Sequence, residues 1–265
     1  MNKFHEANRR YWDNSAPEWH EEDKNDWREC VRDPSFAFEG HAFEFIQEFI
    51  GDLKDKRVCI VGSGDNHAAF ALASLGAEVT SIDISGPRLK LAAQRAESLG
   101  LKIRFVCHDA ASLKTVKSAQ FDLVCSTNGF FVWISGLSAV FSEVNRILKP
   151  GGFYIFYDIH PFMRPWKEQA AIEMQKPYAA TGPFKSGDSG RDVYNFHWTI
   201  SDIINSLLQN GLVLCRMMED TARYPRFWTG HSIGHGGDSV LLDWHQNPRA
   251  GLPAWLTVAC QKPFV

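Results

Sequence analysis

Val58-Cys59-Ile60-Val61-Gly62-Ser63-Gly64-Asp65-Asn66, with Glu78-Val79-Thr80-Ser81-Ile82-Asp83 after it, is the stretch on which the reading of this chain turns. An apolar strand breaks into a glycine turn, a helical run follows from Ala68 to Leu75, Gly76 ends it, and a second strand closes on an acid. Gly62 and Gly64 carry no Cβ, so the chain can turn tightly there and bring its backbone against a ligand. The helix that follows presents unpaired N–H groups to the same place. Asp83 stands roughly 20 residues past the glycines, where a carboxylate at a strand's carboxyl end takes the hydroxyls of a ribose. The unit reads as a nucleoside-cofactor site.

Upstream, Phe36, Phe38, Ala42, Phe43, Ile46, Phe49 and Ile50 recur at helical spacing, which predicts one amphipathic helix over 36–50. The segment from Tyr11 to Arg32 is polar and Trp-rich, and reads as short helices and loop. Downstream, Pro87 suits the first turn of a helix that Gly100 stops. Strands are predicted at 103–107, 121–126 and 153–158, with a helix from Leu137 to Leu148 between the last two. Strands alternating with helices predict an α/β, doubly wound parallel sheet. The rhythm breaks over 160–198, which holds four prolines and many aromatic residues and reads as an insertion over the carboxyl edge of the sheet. Thr199 and Asp202 form a capping-box pair for a helix to Gln209, with Gly211 as its stop. Strands at 212–217 and 256–260 flank a loop of about 35 residues, a length that usually carries function.

The formal net charge of -3 gives no electrostatic reason to expect nucleic acid or an anionic membrane as partner. Six cysteines without a C-x-x-C pair suit free thiols and a cytoplasmic location. The polar start, Met1 to Arg10, carries no secretory pattern, and no apolar run reaches the ~18 residues of a membrane span. Oligomeric state is not encoded in any pattern of this kind.

The order of the pieces resembles the class I S-adenosylmethionine-dependent methyltransferases over roughly residues 56–160. Four signals carry the resemblance: Val58 to Gly64, Val79 to Ser85, Phe105-Val106-Cys107-His108-Asp109-Ala110-Ala111, and Phe121 to Ser126 followed by Leu148-Lys149-Pro150-Gly151-Gly152. The resemblance implies a Rossmann-like sheet of about seven strands, mostly parallel with an antiparallel last strand, with an N-terminal helical cover and lid insertions. It implies S-adenosylmethionine as cofactor, S-adenosylhomocysteine as product and a small-molecule acceptor. Gly62, Ser63, Gly64 and Asn66 would form the turn at the methionine end. Asp83 would hold the ribose, Asp109 would accept from the adenine amine, and Ala110 would offer its N–H to the ring. Ile84 and Leu113 would sandwich the adenine, and Asn128 and Phe130 would lie near the sulfonium. Tyr11, with Trp12, would cover the cofactor from the N-terminal side. The chain departs from the family pattern at Ile60, where an acid is usual, and at Asn66, which replaces the third glycine; Asn tolerates a left-handed backbone.

The whole of 1–265 reads as one domain: 1–35 as N-terminal cover, 36–160 as cofactor-binding core, and 160–198 and 219–253 as acceptor-side lid segments. A dinucleotide enzyme would need a glycine at 67, where His67 stands. A cofactor-binding protein of the same fold that does not catalyse transfer is the alternative that Ile60 and Asn66 keep open. His160, at the end of the fifth strand, is the candidate catalytic base. His231 and His235 have an i, i+4 spacing, but the glycines around them argue against a helix, and no metal site is expected. Asp122 begins its strand at the end remote from the cofactor and reads as structural.

Overall fold

The structure is a computed structural model that describes residues 1–22, 26–167, 172–187, 192–229 and 238–264, with the backbone alone at 19–22. Its elements run α1 (Lys3–Glu22), α2 (Asp26–Arg32), α3 (Ala42–Phe49), β1 (Arg57–Val61), α4 (His67–Ser74), β2 (Glu78–Asp83), α5 (Gly86–Ser98), β3 (Ile103–Cys107) and β4 (Phe121–Ser126). Then follow α6 (Leu137–Ile147), β5 (Leu148–Ile159), β6 (Phe184–Ser186), β7 (Val193–Asn195), α7 (Ile200–Gln209), β8 (Val213–Asp220), α8 (Arg226–Thr229) and β9 (Trp255–Gln261).

Seven strands form one sheet in the order β3-β2-β1-β4-β5-β9-β8. β1, β2, β3, β4 and β5 pair in parallel, while β9 runs antiparallel to both of its neighbours, β5 and β8. The expected Rossmann-like, doubly wound sheet with an antiparallel last strand is present. Strand order reverses between β1 and β4, and open sheets of this kind bind ligands at the carboxyl ends on either side of that switch. β1 and β4 are buried on both faces because helices cover both, which explains their unbroken apolar runs. One helix layer packs Val140, Phe141, Val144 and Leu207 against Phe121, Tyr154 and Phe156. The other packs Ile46, Phe45 and Leu72 against Val58, Ile60 and Ile155.

Three expectations need correction. The predicted helix over 36–50 is broken: a short 3-10 turn at Pro34–Ala37 precedes α3, because Gly40 adopts φ +59° against β9. A Cβ on Gly40 would lie 2.4 Å from the Thr257 hydroxyl, so no continuous helix fits there. Over 11–32, where short helices and loop are expected, the seven-residue α2 fits the expectation, but the stretch up to Glu22 belongs to a single helix of 20 residues, α1. It is held by tertiary contacts: Asn8 exchanges two hydrogen bonds with the Tyr194 backbone, each 2.9 Å, as a neighbouring strand would. The fifth strand starts at Leu148 rather than 153, with a register shift opposite Phe121 and Leu123. α7, by contrast, carries its predicted capping box, Thr199 accepting from the Asp202 N–H and Asp202 accepting from the Thr199 N–H.

Candidate active site

The carboxyl ends of β1, β2 and β4 open onto a cavity of about 760 Å³. At its nucleoside end the first turn is built on left-handed backbone: Gly62 at φ +70°, Gly64 at +54° and Asn66 at +67°. Asn66 holds that conformation from inside. Its amide donates to the Gly64 carbonyl at 2.9 Å and its Oδ1 accepts from the Ser81 hydroxyl at 2.5 Å. Ser63 points the same way, 2.8 Å from Ser81. Both residues therefore brace the turn beneath the cavity and do not line it.

Gly64 faces the open side. A Cβ there would meet only an Arg88 guanidinium nitrogen at 4.0 Å, so the backbone is free to approach a ligand. Asp83 closes the turn, accepting from the N–H of Gly64 and of Ser85 at 2.9 Å each. Burial pushes its carboxyl up, while Arg88 and the backbone N–H groups pull it back; burial prevails. Asp109, at the end of β3, is gripped by α1: His5 Nδ1 lies 2.9 Å from both of its oxygens. The Ser135 N–H donates to His5 Nε2 at 3.0 Å, which fixes the neutral tautomer that donates from Nδ1. Burial raises the Asp109 carboxyl, and the bonds from His5 and the Ala111 N–H outweigh it and hold it below the usual carboxylate range. Gly62, Gly64, Asp83, Ile84, Asp109, Ala110, Asn128 and Phe130 are brought together around the cavity. An open glycine cradle flanked by two backbone-anchored carboxylates fits a nucleoside with an amino group and vicinal hydroxyls.

Two further sequence expectations for this end are altered. Leu113 is fully buried in the core cluster with α6 and does not reach the cavity. Tyr11 stands behind the wall, in edge-to-face contact with Trp12 at 5.2 Å; Trp12, packed on Trp133 at 4.9 Å, borders the cavity. The Phe130 ring fills the space above Gly62, where a Cβ would come within 2.1 Å of it.

His160 is not among the described residues that line the cavity. It is fully buried and accepts from the Phe162 N–H at its Nδ1, so its Nε2–H faces Glu219 at 2.7 Å. With both nitrogens engaged and burial pulling its pKa down, the ring anchors the chain after β5 rather than serving as a base. The carboxylate beside it has a task that the sequence did not announce. Asp158 accepts from the N–H of Gly129, Phe131 and Ile159 at 2.9, 3.0 and 2.7 Å, tying the loop after β4 to the end of β5.

The other end of the cavity is lined by residues from both predicted lid segments, among them Arg164, Trp166, Phe227, Trp228 and Arg249. Arg226, also there, is ion-paired with Glu39. Sequence reading missed these cations; the Met163-Arg164-Pro165-Trp166 run immediately past β5 was the available signal. His231 and His235 lie outside the described residues, and among the described residues no group of three His, Cys, Asp or Glu side chains is placed to hold a metal. Asp122 accepts from the Arg57 N–H and from Lys149, far from the site, and is structural as expected.

Comparison with known proteins agrees with this geometry. A family model described as a methyltransferase domain matches residues 60–156. A ubiquinone biosynthesis O-methyltransferase of Bordetella avium is 30% identical over 123 residues, covering 46% of this chain and 51% of that protein. A demethylmenaquinone methyltransferase of Leptospira interrogans is 29% identical over 145 residues, 54% of this chain and 57% of that one. The matched stretch thus spans about half the length of these relatives. Among solved structures, an S-adenosylmethionine-dependent methyltransferase of Mesorhizobium loti superposes with a TM-score of 0.63 at 18% identity, over 84% of this chain and 98% of that one. The magnesium protoporphyrin IX methyltransferase of Synechocystis, solved with S-adenosylhomocysteine bound, gives 0.59 at 14% identity over 98% of this chain and all of that one. Residues 60–156 thus resemble a methyltransferase domain, and with its sheet order in place the chain has the fold of these S-adenosylmethionine-dependent methyltransferases.

Proposed function

We propose that the protein binds S-adenosylmethionine along Gly64, Asp83 and Asp109 and transfers its methyl group to a small-molecule acceptor. The observation that carries this reading is a single cavity whose one end is a nucleoside cradle and whose other end is walled by aromatic and cationic side chains from two lid segments. When bound, the cofactor supplies an already activated sulfonium methyl, so the protein's work is alignment and exclusion of water. Asp83 and Asp109 fix the nucleoside from opposite sides. The Asp158-braced loop sets Asn128 and Phe130 at the junction of the two ends. α1 lies across the nucleoside end through His5, Asn8 and the Asp13–Ser85 hydrogen bond at 2.8 Å, and acts as its cover. Residues 1–35, 36–160 and the segments 160–198 and 219–253 divide the labour as cover, cofactor core and acceptor-side lid. The relatives' names point to small, ring-bearing acceptors, which suit a cavity edged by Tyr157, Phe227 and Trp255. No two of the described cysteines are joined in a disulfide, in keeping with a cytoplasmic setting, and no helix among the described residues is long and apolar enough to cross a membrane.

A second reading, cofactor binding without transfer, draws on the Phe130 ring seated against Gly62, which narrows the methionine end. Incubation of the protein with methyl-labelled S-adenosylmethionine and a panel of phenolic, quinol and carboxylate acceptors separates the two. Labelled product that depends on the protein supports transfer. Tight cofactor binding with no product across the panel favours the second reading.

A further inference from the structure

The end of the cavity remote from the nucleoside cradle holds an excess of hydrogen-bond donors. Arg249 is only 8% exposed and lies over the Trp228 ring at 5.6 Å. One of its terminal nitrogens donates to the Lys167 carbonyl at 3.0 Å, the other has only the Met163 sulfur at 3.8 Å, and its Nε is buried without a partner. Among the described residues no carboxylate lies within ion-pair distance of it. Trp228, 4% exposed, and Trp166 each bury an indole N–H that also has no partner. Arg164 borders the same space, and its nearest carboxylate is Asp158, at 3.9 Å and already accepting from three backbone N–H groups. The other two cations here differ, since Arg226 is paired with Glu39 and Lys167 with Glu173.

We propose that this end of the cavity is an anion-receiving subsite, in which Arg249 and Arg164, with the indole N–H groups of Trp228 and Trp166, seat a carboxylate or phosphate group on the methyl acceptor. The proposal deepens, and rests on, the reading of this cavity as the acceptor site of a methyltransferase. Its physical basis is that a buried donor without a partner is costly, so three such donors on residues that line one cavity, with Arg164 beside them, call for a ligand that brings acceptor oxygens. A guanidinium matches a carboxylate or phosphate in a two-pronged geometry, and in a water-poor pocket such bonds are stronger than in solution. The same positive charge is felt next door, as a lesser influence after burial. Burial, then Arg164 and Lys176, hold His197 down to about 4, and burial followed by Arg164 lowers Lys176 itself. The aromatic walls, with Phe227 on Trp255 at 5.1 Å, receive the rest of the molecule, which makes the acceptor a ring or apolar body carrying one anionic oxygen group.

The test uses three probes of one shape, benzoate, phenyl phosphate and benzamide, titrated by calorimetry into the full-length protein with and without saturating S-adenosylhomocysteine. One of the two anions is expected to bind about tenfold or more tighter than benzamide, as a charge-assisted bond to a buried guanidinium implies. A preference for benzoate identifies a carboxylate; a preference for phenyl phosphate identifies a phosphate. Arg249→Gln should erase the preference while leaving S-adenosylhomocysteine affinity unchanged. If that variant does not fold, Arg164→Gln and Trp228→Phe take its place, the latter keeping the ring and weakening the anion about threefold. Equal binding of all three probes, binding of none, or a preference that survives these variants overturns the proposal. A wild type that discriminates the probes but does not bind S-adenosylhomocysteine would leave the anion site standing and overturn the methyltransferase reading instead.

Discussion

Asp158→Asn is the substitution whose outcome the structure fixes most closely. One carboxylate oxygen of Asp158 accepts from the N–H of Gly129 and Ile159, the other from the N–H of Phe131. The aspartate is 4% exposed, so no solvent replaces a lost bond. Asparagine places an NH₂ at one of the two oxygens. If it faces Phe131, two donors meet; if it is flipped, Gly129 and Ile159 lose their acceptor. Either orientation leaves at least one buried N–H unpaired, at about 1–3 kcal/mol, and weakens the remaining bonds by removing their charge, at about 1 kcal/mol. Relief of the buried charge, whose desolvation pushes the Asp158 carboxyl up, offsets part of this. The net expectation is about 2–3 kcal/mol, or a melting temperature lower by roughly 4–12 °C for a chain of this size. The loop bearing Asn128 and Phe130 should lose its register against β5, and turnover on an identified acceptor should fall by about tenfold to a hundredfold. Differential scanning calorimetry with single-turnover methyl transfer reads both. A variant that melts with the wild type and turns over normally would refute the assignment of Asp158 as the brace of this loop.

Gly62→Ala forces a side chain into a left-handed turn and within 2.1 Å of the Phe130 ring; a loss of about 2–4 kcal/mol is expected in urea unfolding, far more than for Gly64→Ala, whose Cβ would meet open space. His197 stays neutral in the fold down to about 4, whereas the unfolded chain protonates it near 6.5, so stability is lost as pH falls from about 6.5 toward 4. His197→Phe should remove about 1–2 kcal/mol of that loss, the value being reduced for partial exposure, and unfolding curves at pH 7.5 and 4.5 measure the difference. His5→Ala deletes the donor that orients Asp109 and the bond to Ser135 that ties down α1, so cofactor should bind about fivefold to tenfold more weakly and α1 should become a protease target.

The sheet was legible because its central strands β1 and β4 are apolar on both faces and its helices end on glycine, proline and capping residues, all local chemistry. The glycine turn and the acids at 83 and 109 were legible for the same reason, since each sits at a strand end that its own neighbours define. Gly40 was not, because a helical apolar period runs straight through it and only the approach of Thr257 shows why the helix must break. Asp158 was passed over for His160, although only Ile159 separates the two. Which one holds a loop and which caps a turn depends on backbone N–H groups 27 to 29 residues away. His5 and Asn8 act through partners more than 100 residues distant, and no pattern in α1 announces them. Arg164 and Arg249 come from different lid segments, and the shortage of acceptors around them exists only in three dimensions.

The central claim is that the Gly64–Asp83–Asp109 cradle binds the nucleoside of S-adenosylmethionine. Calorimetric titration of S-adenosylhomocysteine into the wild type and into Asp83→Ala, with Asp83→Asn as the isosteric control and melting curves to establish folding, tests it most directly. The account predicts binding by the wild type on the order of micromolar, and a loss of about tenfold to a hundredfold in the folded variants as the ribose hydroxyls lose a charged acceptor. A folded wild type that takes up no heat from S-adenosylhomocysteine, or folded Asp83 variants that bind it as tightly as the wild type, would contradict it.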